Sequence, residues 1–418
     1  MSNFWDKGVA IIGAGLGGTA LALALHQKGI PCRIYETRGP EADVVSSGII
    51  ITPNGGKVLH ELGALEGLSS RSFQFEHYVF KNDKDETTEK TAVPTDLYGY
   101  KHHRLYRIII LQQLKTLLAQ RGVVIHYNSK FERFVSETAE GVRFQINENV
   151  EEAAIVVGAD GIHSTVRAYL NSAVPEYTGI LSLYGHIPAS SVAWPDQDFL
   201  NACTIQGKPG SFFLVPEVAD ASDLMVGTQF PFPEQDRRGW DAMTANKAQL
   251  TELFRKNYSQ WHATGASIVD AVCKYPDTLL IWPFYKVPVM PTWSSATGRV
   301  IIIGDAAHAM PASSGQGLNQ ALEDAYTLAR LLSSIDLQSS LPEALGVWHG
   351  WRQTKVDKIF EMAMATNLKR LPEAERLRLS QANTSGDEHV ETMDSTSPQW
   401  LFDLHLDDLD AALTQFTE

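Results

Sequence analysis

The chain has 418 residues, beyond the size at which a single hydrophobic core keeps growing, so two interleaved domains sharing an interface are expected. Its 35 basic against 49 acidic residues leave a net charge of −14, which repels nucleic acid and anionic lipid and argues against both as partners. Three cysteines, Cys32, Cys203 and Cys273, stand far apart with no CxxC and no histidine pattern, arguing against a disulfide scaffold or a structural metal site and for reduced thiols in a cytoplasmic protein.

In chain order, Gly8 to Ile12 reads as a buried strand, followed by a glycine turn, a helix from Leu16 to Gln27, and a second strand ending Cys32-Arg33-Ile34-Tyr35-Glu36. The uncharged run Val9 to Leu25 has the composition of a signal peptide or anchor. Gly13, Gly15, Gly17 and Gly18 interrupt it, and the weakly basic Asp6-Lys7 leader favours strand-turn-helix. No other stretch is long and apolar enough to span a bilayer. Lys81 to Lys90 is polar and predicts an exposed hairpin or loop, and Arg107 to Gln120 has helical spacing. Val123 to Tyr127 and Arg143 to Ile146 predict short strands, closed by the apolar Ala153 to Gly158. From about Tyr177 to Tyr285 aromatic residues and prolines dominate, predicting a second, sheet-based domain. Another βα unit follows, Val300 to Ile303 and then a helix to about Leu332, before a helical C-terminus whose stretch Ser380 to Pro398 is polar and loosely ordered. The fold class is thus α/β. A Rossmann-type domain over 1–70, 98–176 and 286–340 is interleaved with a sheet domain over 71–97 and 177–285, and a helical region and tail occupy 341–418.

Gly13-Ala14-Gly15-Leu16-Gly17-Gly18 fits GxGxxG directly after a strand and opening a helix. Gly13 makes the tight turn, Gly15 lets the backbone approach a pyrophosphate, and Gly18 lets helix pack on strand, while the helix N-terminus stabilises the anion. Glu36, about 20 residues on at the end of the second strand, is placed to accept hydrogen bonds from ribose hydroxyls and repels a 2′-phosphate, which disfavours NADP there. The fingerprint alone does not separate NAD from FAD. Asp305, where a strand gives way to a helix, can hold a sugar-chain hydroxyl, and the turn Gly315-Gln316-Gly317-Leu318-Asn319 opens a helix whose positive end favours an anion.

Three landmarks occur in order: the GxGxxG with Glu36; Val157-Gly158-Ala159-Asp160-Gly161 through Arg167; and Gly304-Asp305-Ala306-Ala307-His308 running on to Pro311, Gly315 to Asn319 and Glu323-Asp324. With them the chain resembles the class A flavoprotein monooxygenases, single-component aromatic hydroxylases of the para-hydroxybenzoate and salicylate hydroxylase type, from residue 8 to about 370. The resemblance implies tight, non-covalent FAD, with Asp305 on the ribityl chain and the helix opening at Gly317 facing the pyrimidine edge of the flavin. It implies indirect FAD contacts from Asp160 and Arg167, a pyrophosphate contact from Arg107, and a loop beside the flavin ring at Gly48-Ile49 followed by Pro53-Asn54. Arg38, just past Glu36, is a candidate for the adenosine end. By the same resemblance NAD(P)H reduces FAD, oxygen adds at flavin C4a, and the distal oxygen of that hydroperoxide passes to an electron-rich carbon, so no protein nucleophile or metal is required.

With no second GxGxxG, NAD(P)H binds transiently, NADPH slightly favoured. Tyr184, Phe212, Phe213, Phe230, Trp282 and Phe284 are candidates for a substrate pocket, with Pro311 and Ala312 beside it. Many family members have Pro-Pro where this chain has Pro311-Ala312, which points away from a compact phenol toward a polycyclic, prenylated or indolic molecule. The partners implied are that small molecule, O2 and NAD(P)H, with the protein a monomer or homodimer. Epoxidation, Baeyer-Villiger insertion, antibiotic inactivation, oxygen-independent flavin reduction and a non-catalytic escort role on the same fold remain alternatives.

Overall fold

A computed structural model of the chain describes residues 4–42, 47–92, 95–335, 340–383 and 399–416. The opening apolar run is the strand Val9–Ile12, buried along its whole length, followed by the helix Leu16–Gln27 and the strand Cys32–Tyr35. From Leu16 to Leu25 only Gly17 is not fully buried. A helix apolar all round must be covered on every side, and Arg107–Gln120 and Gly317–Ser334 pack against it. Val9–Ile12 pairs in parallel with Cys32–Tyr35 and with Ile155–Gly158, and Ile125–His126 and Val300–Ile302 complete a five-stranded parallel sheet. Strands covered on both faces need no polar alternation, which is why the central ones read VAII and IVVG.

Two small antiparallel sheets flank this core, one from Phe131–Thr138, Gly141–Ile146 and Asn149–Ala153, the other from Gly48–Ile51, Phe73–Phe75 and His102–Tyr106. The aromatic middle of the chain, with His77–Asn82 and Thr87–Ala92, makes a seven-stranded sheet. Its order is Leu280–Lys286, Glu176–Pro188, Asp223–Pro231, Gly210–Pro216, Cys203–Gly207, His77–Asn82 and Thr87–Ala92. The polar stretch from Lys81 to Lys90 is the hairpin at its edge. Along these strands alternate residues, Leu181, Leu183, Phe212, Leu214, Leu224 and Val226, enter a second core beneath the helices Arg237–Ala245, Lys247–Arg255 and Ala263–Cys273. Those helices are not in the sequence reading, which took the whole segment as sheet. Two of them carry capping signals, the Asp236 and Asn246 side chains accepting the backbone N–H of Gly239 and Gln249. Burial pushes the Cys32 and Cys203 thiols up to about 12, leaving them as small apolar groups.

The long helix Leu341–Arg370 joins the two halves. Its last carbonyls, which no intrahelical partner can satisfy, are capped from three strands of the large sheet. Gln229 Nε2 donates to Asn367 O at 3.1 Å, Gln206 Nε2 to Lys369 O at 2.5 Å, and Ser211 Oγ to Arg370 O at 2.9 Å. Beyond it, Gln399–Phe402 and Leu406–Leu413 return to the first domain, where Leu404, Leu409 and Leu413 are buried in the main core. Of the polar stretch expected to be loosely ordered, residues 384–398 lie outside the described residues. Among the described residues no helix is long and apolar enough to cross a membrane. Leu21, fully buried in the first helix, tests this packing: Leu21→Ala is expected to lower the unfolding free energy by about 3 kcal/mol, read as an earlier urea midpoint at unchanged slope.

Candidate active site

Glycines with different causes meet at the carboxyl end of the parallel sheet. A Cβ on Gly13, whose φ is +107°, would sit 2.5 Å from Ala159 O, and one on Gly18 would sit 2.0 Å from Gly13 O, so both are glycine because protein atoms occupy the space. A Cβ on Gly15 would meet nothing within 4 Å. Protein packing does not explain the middle glycine, whose backbone faces open space at the N-terminus of the helix. Glu36 is held rigid beside it: Oε2 accepts from Ala14 N–H at 2.9 Å, and Oε1 accepts from the backbone N–H of Arg38 at 2.9 Å and from its Nε at 3.2 Å. Burial raises this carboxyl, but the two backbone N–H donors and the guanidinium outweigh it and leave the pKa lowered, so Glu36 is ionised. Arg38 is otherwise largely exposed.

Asp160 lies just after the strand Ile155–Gly158, and its Oδ2 accepts the N–H groups of Thr165 and Val166 at 2.8 and 3.2 Å. Its Oδ1 is buried with no hydrogen-bond partner, and burial raises the carboxyl above its usual value despite the donors around it. Arg167 donates to Ala306 O at 3.0 Å and Ile162 O at 2.6 Å, tying this segment to the short helix Asp305–His308. Asp305 itself is exposed, and its Oδ1 would lie 3.9 Å from a Cβ on Gly317, so the carboxylate faces the start of the helix Gly317–Ser334 across a narrow gap. Gly315, in the left-handed region at φ +63°, makes the turn between them. Leu318 is half-buried and Asn319 fully buried. Asn319 acts as a latch, its Nδ2 donating to Ile50 O and Gly315 O at 3.0 Å and its Oδ1 accepting from Thr52 N–H at 3.1 Å.

Beneath this rim lies a buried polar network. Glu323 accepts from Asn54 Nδ2 at 2.6 Å, Lys355 Nζ at 2.9 Å and Arg352 Nη1 at 2.5 Å. Asp324 accepts from Arg352 Nε at 2.7 Å and Gly304 N–H at 2.8 Å, with His308 Nε2 at 2.6 Å. His308 is thus a structural partner of Asp324. Asn54 belongs to the Pro53-Asn54 pair that the resemblance places after Gly48-Ile49, here bonded to Glu323, whereas Arg352 is not marked by anything near it in the chain.

The sequence candidates divide by sheet face. Tyr184, Gly227 and Phe213 form one cross-strand row on the face away from the second core, with the Phe213 ring 2.1 Å from where a Cβ on Gly227 would be. Phe212 stands on the other face, stacked on Trp261 and Phe254, and Phe230 packs into the same second core. Trp282 is 44% exposed on an edge strand, and Phe284 packs with Ile180 and Leu371. Pro311 is buried and Ala312 exposed at the turn after His308, and Ser313 Oγ donates to Ala363 O at 3.3 Å. Gly48 is a strand residue whose Cβ would fall 1.7 Å from Glu217 Oε2, so a carboxylate of the large sheet dictates that glycine. Glu217 is paired with the buried Arg104, a couple 113 residues apart that no local motif announces. Ile49 is half-buried beside it, and Arg107 is exposed at the start of its helix, where its N–H donates to Ser47 O at 3.2 Å.

Residues 6–339 match the FAD binding domain family, and the chain belongs to it. It is an FAD-dependent monooxygenase. Among relatives it is 28% identical to the 6-hydroxynicotinate 3-monooxygenase of Bordetella bronchiseptica over 79% of this chain and 84% of that one. It is 30% identical to a 3-amino-4-hydroxybenzoate 2-monooxygenase of Streptomyces platensis over 79% and 80%. The crystal structure of Klebsiella pneumoniae HpxO complexed with FAD and uric acid superposes with a TM-score of 0.76 at 19% identity, covering 99% of both chains, a likeness of fold.

Burial raises the Asp324 carboxyl, yet His308, Arg352 and the Gly304 N–H bring it down to about 2. A depressed folded value means the stabilisation is present above about pH 4 and lost as pH falls toward 2, on the order of 2 kcal/mol. Urea unfolding at pH 4.5 and 2.5 is expected to show that loss in the native chain and a smaller one in Asp324→Asn.

Proposed function

We propose that this monooxygenase hydroxylates a compact aromatic ring at the expense of NAD(P)H, with NADPH ahead of NADH. The observation that carries the cofactor assignment to particular atoms is the contrast among the fingerprint glycines: Gly13 and Gly18 are filled by protein, and Gly15 faces open space. In this reading Gly15 and the helix N-terminus take the pyrophosphate, Glu36 the ribose and Asp305 the ribityl chain. The unpartnered Oδ1 of Asp160 supports a polar contact there, and Arg107 and Arg38 serve the phosphate and adenosine ends. Bound FAD supplies the redox and oxygen-transfer chemistry. The chain's own residues orient the ring and exclude water: Tyr184 and Phe213 offer an apolar surface across Gly227, and Pro311 and Ala312 border it. Burial pushes the Tyr184 phenol up to about 12, so it keeps its proton and acts as a donor. Both relatives named above act, by their names, on single-ring acids, which favours a compact ring over the polycyclic molecules suggested by Pro311-Ala312. The three free cysteines support a reducing, cytoplasmic setting.

Anaerobic mixing of the yellow holoenzyme with NADPH or NADH is expected to bleach the flavin at least about tenfold faster when a hydroxylated single-ring aromatic is present than when it is absent, with one labelled atom from oxygen-18 gas in the product. Acceleration only by polycyclic or indolic compounds would overturn the compact-ring reading. Asp305→Ala, removing a charge-assisted hydrogen bond worth about 1.5–3 kcal/mol, is expected to weaken FAD binding by about 10- to 100-fold in a fluorescence titration, with the fold retained.

A further inference from the structure

Resting on the aromatic-ring reading, we propose that Arg370 is the specificity-determining residue of the substrate site, holding a carboxylate on the ring. Arg370 ends the helix Leu341–Arg370, and Ser211 Oγ fixes its carbonyl, so the side chain starts from a point tied to the large sheet. Its guanidinium carbon lies 5.1 Å from the centroid of Phe213, on the face of the sheet that also carries Tyr184. Its Nε is buried with no hydrogen-bond partner.

The same defect recurs beside it. One turn back on the same side of the helix, Asn367 Nδ2 is buried without a partner, and so is Gln229 Oε1 on the strand opposite. Gln229 Nε2 spends its hydrogens on Asn367 O and Oδ1 at 3.1 and 3.2 Å, which fixes both amides and leaves one donor and one acceptor open. Buried polar groups are nearly always satisfied, so three open ones at one helix end require an explanation. A carboxylate accepts from Arg370 Nε and Asn367 Nδ2, and a ring hydroxyl or amino hydrogen meets Gln229 Oε1.

Charge points the same way. Arg104 is paired with Glu217, and Arg352 with Glu323 and Asp324. Arg167 feels Asp160 and donates to three carbonyls, and Arg299 feels Glu140 and Glu137. Among the described residues the titratable group that acts on Arg370 is the Tyr78 phenol, which burial keeps protonated. Among the described residues no carboxylate pairs with it. Burial pushes its guanidinium down to about 10, which leaves it cationic at neutral pH. A partly buried cation whose Nε is shut off from water without a counter-ion is costly, and an anionic substrate removes that cost.

Isothermal titration of the holoenzyme with benzoate and with benzamide separates charge from ring. The native enzyme is expected to prefer benzoate by at least about tenfold, and Arg370→Met to erase the preference by weakening benzoate about 10- to 100-fold while benzamide stays within about twofold. Arg370→Lys restores part of it. Equal affinity of the native enzyme for the two, or equal weakening of both by Arg370→Met, would overturn the proposal. Should Arg370→Met not fold, Arg370→Gln decides by the same ratio, with retained acid preference counting against the assignment. The titration involves no turnover, so acid preference stands or falls separately from the hydroxylation reading, which substrate-accelerated flavin bleaching tests.

Discussion

Glu323 and Asp324 are neighbours on one helical turn, both fully buried, and two adjacent carboxylates in a low-dielectric interior are tolerable only where every oxygen finds a donor. Arg352 bridges them, Lys355 and Asn54 complete Glu323, and Gly304 and His308 complete Asp324. The donors come from separate stretches of chain, so satisfying two charges fixes where those stretches lie relative to one another. The positions it fixes are the turn at Gly304 before Asp305, the start of the helix Pro53–Glu61, and the helix that opens at Gly317, the segments to which the proposed cofactor contacts belong. The network is a positioning device, and burying it is what makes the positions stiff.

That stiffness gives the glycines their meaning. Gly13, Gly18, Gly48, Gly55 and Gly227 are each contacted at 2.5 Å or less by where a side chain would begin, so in each the neighbouring protein atom dictates the residue. Gly15 and Gly317 have no such neighbour, the nearest atom to Gly317 being the Asp305 carboxylate at 3.9 Å. Motif matching treats all glycines of a fingerprint alike; geometry separates those whose place is filled by protein atoms from those that face open space.

The same division explains what could be read from sequence. The strand-turn-helix at the N-terminus, the Glu36 position, the βα unit at Asp305 and the turn that opens a helix at Gly317 are local, each carried by a few residues whose spacing matches a period or a turn. The split of Phe212 from Phe213 was not readable, because both are aromatic and only knowing which strand face meets the helices assigns one to the core. Gly48 was legible as a special residue but not for its reason, since Glu217 lies far along the chain. Arg104 and Arg352 were invisible for the same cause: a buried charge is defined by partners that only tertiary structure supplies.

One helix links these separate facts. Arg352 sits in the Glu323–Asp324 network, and Asn367, Lys369 and Arg370 have their carbonyls capped by the large sheet, all within Leu341–Arg370. At 1.5 Å per residue the span from Arg352 to Arg370 is about 27 Å of continuous helix. With one end set by charge and the other by capping, neither half can shift without breaking buried hydrogen bonds at its own end. An oxygen-transfer enzyme needs its cofactor and its substrate surface held at a fixed separation with water kept out. Anchoring both ends of one rod keeps the Glu323–Asp324 network and the large sheet in a fixed relation to each other.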